Sequence, residues 1–283
     1  MDDRLRPLWD FDDLDGTEAR LREQLDAESD DVGRAEVLTQ LARVDGLRGS
    51  FEDGDGLLDE AEALGGTSTV ARARTDLERG RLRRSSGDRE RALPLFESAF
   101  AIALEGDHRF IAADAAHMAA LAAPGREDFV AWTKRGIEVA EGHEGAAYWV
   151  GPLLNNLGWE YSDAGEHELA LDAFERALAA RERDPENAAA IEIALYAVGK
   201  TLRALGRADE ALPLLERALD SAATRDHEDG WLHEELAEEY AVLGREADAR
   251  AQARLAVLLL ERDDPSFAED AERAGRLAAL ATD

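Results

Sequence analysis

The chain has 283 residues, 45% hydrophobic and 34% charged, a composition that excludes a disordered polymer. Its net charge of −30 repels phosphate backbones and anionic headgroups, so neither general nucleic-acid binding nor adhesion to an anionic membrane is expected. There is no cysteine, which removes disulfides and thiolate metal sites.

The opening residues, Met-Asp-Asp-Arg-Leu-Arg-Pro, contain no apolar core of a signal peptide. The apolar run Leu255 to Leu260 is too short to span a bilayer. A soluble, cytoplasmic protein is therefore expected. Lys134 and Lys200 are the only lysines. So acidic and lysine-poor a composition fits either a GC-rich genome or a salt-rich cytoplasm.

The first sixteen residues place Trp9 and Phe11 among aspartates and admit two readings, a segment wrapped over the end of the fold or a loose one. Thr17 to about Ala27 is predicted as a helix capping that end, within an N-terminal segment of residues 1–34. From residue 35 a frame recurs: a small residue, a glycine seven later, a small residue five after that, and an alanine seven further on. Ala42, Gly49, Gly54 and Ala61 open the series, with Leu58 in the second half. Gly80, Gly87, Ala92, Phe96 and Ala99 follow. A weaker copy surrounds Gly125, with Ala131, Trp132 and Gly136 slightly out of phase, so residues 108 to 143 form a degenerate unit. Gly158, Gly165, Ala170, Phe174 and Ala177 restore the frame. Gly199, Gly206, Ala211, Leu215 and Ala218 continue it, and Ala237, Gly244, Ala249, Ala253 and Ala256 close it.

The turn glycines at 49, 87, 125, 165, 206 and 244 stand 38, 38, 40, 41 and 38 residues apart. Apolar residues at i, i+3, i+4 and i+7 predict a helix on each side of every turn, and no strand-like alternation competes. Small residues at Gly158, Gly199 and Ala237, with Ala170, Ala211 and Ala249 opposite, let paired helices approach closely. Tyr161, Phe174, Leu215 and Tyr240 fill the space between them. The turn glycine supplies the left-handed conformation that ends a helix. Pro94 and Pro213, in Ala-Leu-Pro-Leu stretches, are expected near the N-terminal turns of second helices, with local distortion. Asp264-Pro265-Ser266 is predicted to open a last helix running to about Ala281, so that residues 264–283 cap the exposed face of the sixth repeat.

The pattern resembles the tetratricopeptide repeat family, most closely at Leu157, Gly158, Tyr161, Gly165, Ala170, Phe174 and Ala177. The resemblance covers roughly residues 35–263, with five repeats matching well and the third poorly. It implies an all-α, right-handed solenoid of about six helix pairs. The family period is 34 residues. A period of 38–41 implies longer helices at 1.5 Å rise per residue.

Signals for catalysis are poor. His167-Glu-Leu-Ala-Leu171 and His233-Glu-Glu-Leu-Ala237 begin like the zinc metalloprotease motif, but each has an apolar residue where the second histidine must sit. Both read as helix surface and core. Gly54-Asp-Gly56 lacks a third glycine and a preceding strand. It also fails as a calcium loop, since position twelve counted from Asp53 is Leu64. No catalytic residues, metal or cofactor are expected, and the chain is read as a non-enzyme.

Members of the family usually bind partners on the concave face lined by first helices, and that frame marks candidate positions here. Just after the small residue stand Arg43, Arg81, Trp159, Lys200 and Glu238. Three further on stand Arg84, Ser162 and Arg203, and upstream stand Arg74, Asn155, Asn156 and Tyr196. Asn156 matches one position of the family's carboxylate clamp. The preceding repeat offers Asp114 or Ala115 instead of lysine, so a chaperone-tail clamp is not expected. The implied function is an interaction scaffold holding a protein or peptide segment, with an acidic peptide as the sharper reading. Arg81, Arg84, Lys200 and Arg203 would supply charge, Asn155 and Asn156 backbone hydrogen bonds, and Trp159 and Tyr196 apolar contact. The competing reading pairs these arginines with the chain's own carboxylates. The alternative function is a regulatory module that switches a partner on binding a peptide or small ligand. Oligomeric state is left open.

Overall fold

The computed structural model describes residues 3–282, and every regular element among them is helical. Helix α1 (Leu14–Ala27) precedes six helix pairs. These are α2 (Asp31–Arg48) with α3 (Phe51–Gly65), α4 (Thr69–Ser85) with α5 (Arg89–Glu105), and α6 (Arg109–Ala122) with α7 (Arg126–Glu141). There follow α8 (Val150–Asp163) with α9 (His167–Arg181), α10 (Ala188–Ala204) with α11 (Ala208–Thr224), and α12 (Gly230–Val242) with α13 (Glu246–Asp263). Helix α14 (Ala271–Ala281) closes the order, and short 3-10 turns occupy Arg6–Leu8 and Glu144–Trp149. The expected six pairs are present, and the degenerate one is α6 with α7. None of these helices is long and apolar enough to cross a membrane.

Aspartates start many of the helices. The side chains of Asp13, Asp30, Asp88, Asp229 and Asp270 each accept a hydrogen bond from a backbone N–H of the first turn they precede. A carboxylate there satisfies a donor that has no helical partner and faces the positive end of the helix dipole. Part of the acidic excess is thus local structure.

The turn inside five of the six pairs is one motif. At Gly165 φ is +74°, and the next N–H, of Glu166, donates to the carbonyl of Tyr161 at 2.9 Å. Equivalent bonds follow Gly49, Gly87, Gly206 and Gly244, all at positive φ. This is the Schellman ending, in which a left-handed residue turns the chain back onto the last helical carbonyls. Gly125 departs from the expectation. Its φ is −158°, and it is the N-cap of α7. Helix α6 stops instead because Pro124 follows Ala123, which is held in an extended conformation.

The chain divides into two compact units, up to Leu153 and from Leu154 onward, the division falling within α8. In the first, each first helix packs on its own partner and on the next first helix, α2 on α4 and α4 on α6. The segment ahead of α1 also folds onto this unit, with Leu5 buried beside Leu21, Leu38 and Leu41. In the second, α10 packs on α9, α11 and α12, and α14 lies on α13 and α12.

The small-residue column works as expected. A methyl group added at Gly80 would meet the Phe96 ring at 2.5 Å, and one at Gly158 the Phe174 ring at 2.5 Å. At Gly199 it would meet Leu215 at 2.6 Å. Phe96, Phe174 and Leu215 are fully buried, so the absent side chain is the space they fill.

Three expectations are modified. The α-helices of the six pairs are 13 to 18 residues long. In the two widest glycine intervals the extra residues sit in connectors, the 3-10 turn Glu144–Trp149 and the Glu182–Asn187 link. Pro94 and Pro213 both lie six residues into their helices, which continue through them. The last helix begins at Ala271, capped by Asp270, rather than at Ser266. Residues 264–270 form a turn that buries Phe267 against Ala253, Ala256 and Leu260.

Candidate functional site

In the second unit a cleft of about 350 Å³ opens along the first helices. Helix α10 has an amphipathic face on which Ile193, Tyr196, Lys200 and Arg203 follow one another at intervals of three and four. Trp159 of α8 packs edge-on against Phe174 at 5.0 Å and lies 6.4 Å from the Tyr196 ring. Trp231, in the first turn of α12, forms the opposite wall. Trp159 and Tyr196 are held by the core, whereas Ile193 is 52% exposed and Trp231 40% exposed. Rigid aromatic surface beside exposed apolar surface is the composition of an anchor pocket.

The polar rim is internally paired. Glu192 accepts from Ser221 at 2.6 Å and pairs with Arg225. Lys200 Nζ donates to Tyr196 Oη at 3.1 Å and stands 4.0 Å from Glu235. Arg203 grips Glu235 through two hydrogen bonds, one of them at 3.2 Å. Burial raises the Tyr196 hydroxyl above its ordinary pKa, and the nearby charges of Glu235, Glu234 and Asp229 add to it. Glu239 is fully buried, and neither of its carboxylate oxygens has a hydrogen-bond partner. Its pKa is pushed up to about 7, by burial first and then by Glu235 and Glu238, against the attraction of Arg203, whose Nε is 4.0 Å away.

The candidate residues fall into different settings. Trp159, Tyr196, Lys200 and Arg203 belong to one neighbourhood. Asn155 and Asn156 lie about one turn before Trp159 on α8, outside the cleft lining, and Asn155 Oδ1 is buried without a partner. Arg81 and Arg84 belong to the first unit. There Arg81 is clamped between Glu78, at 2.5 Å, and Asp114. The Arg84 Nε is buried with no partner. Arg81 and Arg203 are thus engaged with the chain's own carboxylates, as the competing reading held.

Ile193, Trp231 and Arg225 were missed by the sequence reading. The 193, 196, 200, 203 spacing carries a signal for Ile193. Trp231 and Arg225 join the site only through the approach of α10, α11 and α12. The two histidine motifs take structural places: His233 is buried and its Nδ1 lies 2.5 Å from Gln252 Oε1, and His167 begins α9. Among the described residues no cluster of three or more His, Asp or Glu could hold a metal ion.

Tetratricopeptide repeat family models match residues 153–183 and 194–229. The chain contains tetratricopeptide repeats. The matched spans cover most of α8, all of α9, the greater part of α10 and all of α11; they include Trp159, Tyr196 and Arg225 of the cleft, while Ile193 and Trp231 lie outside them. Among solved structures, the apo form of RapI aligns over 98% of this chain and 79% of its own, with 13% identity and a TM-score of 0.72. BtubC (BKLC) from P. vanneervenii aligns over 81% and 94%, with 19% identity and a TM-score of 0.62. A Rap protein complexed with Competence and Sporulation Factor aligns over 98% and 81%, with 14% identity and a TM-score of 0.56. No curated protein sequence matches significantly. At these identities the structures establish a shared fold. Tetratricopeptide repeats are a protein-interaction architecture, whose stacked helices present extended binding surfaces.

Proposed function

We propose that this repeat protein is a non-catalytic scaffold that grips a protein segment in the cleft of its second unit. The observation that carries this reading is the pairing of a core-held Trp159–Tyr196 floor with exposed Ile193 and Trp231. The segment would place an apolar side chain between them. An acidic residue beside it is the sharper form: its carboxylate would meet Lys200, whose side chain is 43% exposed, whereas Arg203 would have to leave Glu235.

The test is selection of binding peptides from a random display library on the full chain, followed by affinity measurement on variants. Ile193→Ala with Trp231→Ala is expected to weaken the selected peptides by at least about tenfold while helicity is kept. Unchanged affinity would remove the cleft from the reading. Lys200→Ala with Arg203→Ala tests the acidic form separately; if binding is then unchanged, the partner need not be acidic. The second reading, a module that switches a partner on ligand binding, takes support from the Rap neighbour solved complexed with Competence and Sporulation Factor. It predicts a change in hydrogen exchange beyond the peptide contact itself.

A further inference from the structure

Residues 3–11 cross the first-helix face of the first unit much as a bound peptide would. Asp3 reaches α4, where Arg74 donates to both its carboxylate oxygens, at 3.1 and 2.5 Å. Arg74 is 5% exposed and is itself aimed by Glu36 of α2, at 3.0 Å from its Nε. Leu5 is 1% exposed and fills an apolar socket. The Trp9 indole N–H donates to Gln40 Oε1 at 3.0 Å, and Arg43 lies 4.9 Å over that ring. Arg6 sits 3.6 Å over the ring of Tyr148, in the turn that follows the third pair. The segment therefore touches parts of three successive repeats through acidic, aliphatic and aromatic side chains, the mixture that anchors a peptide in a groove.

Two observations separate this arrangement from an ordinary piece of core. Among the described residues, the backbone–backbone hydrogen bonds of 3–11 stay within the segment apart from one to Asp13 just after it, so it is held to the helices of the pairs by side chains and to α1 also by a bond from the Arg20 side chain to its backbone. The fit also leaves a need unmet. A cleft of about 70 Å³ remains between the segment and α4 and α6, and Glu78, 2% exposed and lining it, has its Oε2 buried with no partner. A carboxylate oxygen without a donor is costly. A ligand offering an N–H there would fit better than the resident segment does.

We propose that this face is a second peptide-binding groove, that residues 3–11 are its tethered occupant, and that a partner segment carrying aspartate, leucine two residues on and tryptophan four further displaces them. Tethering holds the occupant at a local concentration of order millimolar, so the groove is closed to weak ligands. The partner recognised is an acidic, tryptophan-bearing segment, and a hydrogen-bond donor facing Glu78 gives it its advantage.

The test uses the full chain with Leu5→Asp and Trp9→Ala, which release the segment, and a fluorescent peptide of residues 3–12. Saturable binding to this variant is expected, at least about tenfold tighter than to the wild-type chain. Asp3→Lys in the peptide should abolish it. Trp231→Ala in the second unit should leave it unchanged, which separates this groove from the cleft proposed above. A variant with wild-type helicity that binds no peptide, or equal binding by both proteins, would overturn the proposal. Should the variant unfold, hydrogen exchange on the wild-type chain decides. The amides of Leu8 and Trp9 must exchange while α2 and α4 stay protected; exchange only together with those helices would refute displacement.

Discussion

Glu239 shows how one buried residue sets a pH dependence. Its folded-state pKa, about 7, lies above the ordinary glutamate value of 4.5. The unfolded chain therefore releases this proton more readily than the folded one. The resulting destabilisation is fully present above about pH 7, shrinks as pH falls through that value, and is absent below about 4.5. Glu239→Gln is expected to raise Tm by about 2 °C or more at pH 8, with the gain fading by pH 5. A pH-independent difference in thermal scans would assign the effect to packing instead. Gly158 is the other instructive residue. Gly158→Ala drives a methyl group into the Phe174 ring, and a loss of about 1–3 kcal/mol is expected by urea denaturation.

At the scale of the helix pair, turn chemistry separates five repeats from the third. The same substitution should have opposite outcomes at two turn glycines. Gly165→Ser forces a side chain into φ +74° and should cost about 1–2 kcal/mol. Gly125→Ser puts a preferred capping residue at an extended N-cap with open space around it, and should change stability by less than about 0.5 kcal/mol or raise it. Denaturant midpoints of the two variants check this directly. The sequence frame found Gly125 by spacing and could not see that Pro124 had taken over the helix stop. In the same way the wide glycine intervals suggested longer helices. Spacing counts residues and does not say whether they are wound into a helix or spent in a connector.

Across the whole molecule, charge dominates. With 63 acidic and 33 basic side chains, at least 30 carboxylates have no basic group of their own. Exposed ion pairs such as Arg207–Glu210 contribute little and weaken in salt. Repulsion among the remaining carboxylates is screened by the same salt. Because the excess outnumbers what pairing can satisfy, repulsion should win. Tm is expected to rise by several degrees between about 20 mM and 0.5 M sodium chloride. A fall would mean that the ion-pair networks contribute more than the net charge takes away.

The repeat, its register in five of the pairs, the six helix pairs and the close-packing glycines were legible in the sequence. They depend on short-range rules: a 3.6-residue period, a left-handed turn, and a small residue opposite a large one. The arginines show where that legibility ends. Arg81 and Arg203 look alike as basic groups on first helices, yet each is consumed by a carboxylate 32 or 33 positions away, Asp114 and Glu235. The segment 3–11 was readable as wrapped or loose, and Arg74, Gln40 and Tyr148 decided between them. Ile193 and Trp231 likewise share a cleft only because α10 and α12 pack side by side. Periodicity specifies which face of a helix is buried; which partner meets an exposed side chain depends on helices one repeat or more away, and only the tertiary structure brings those together.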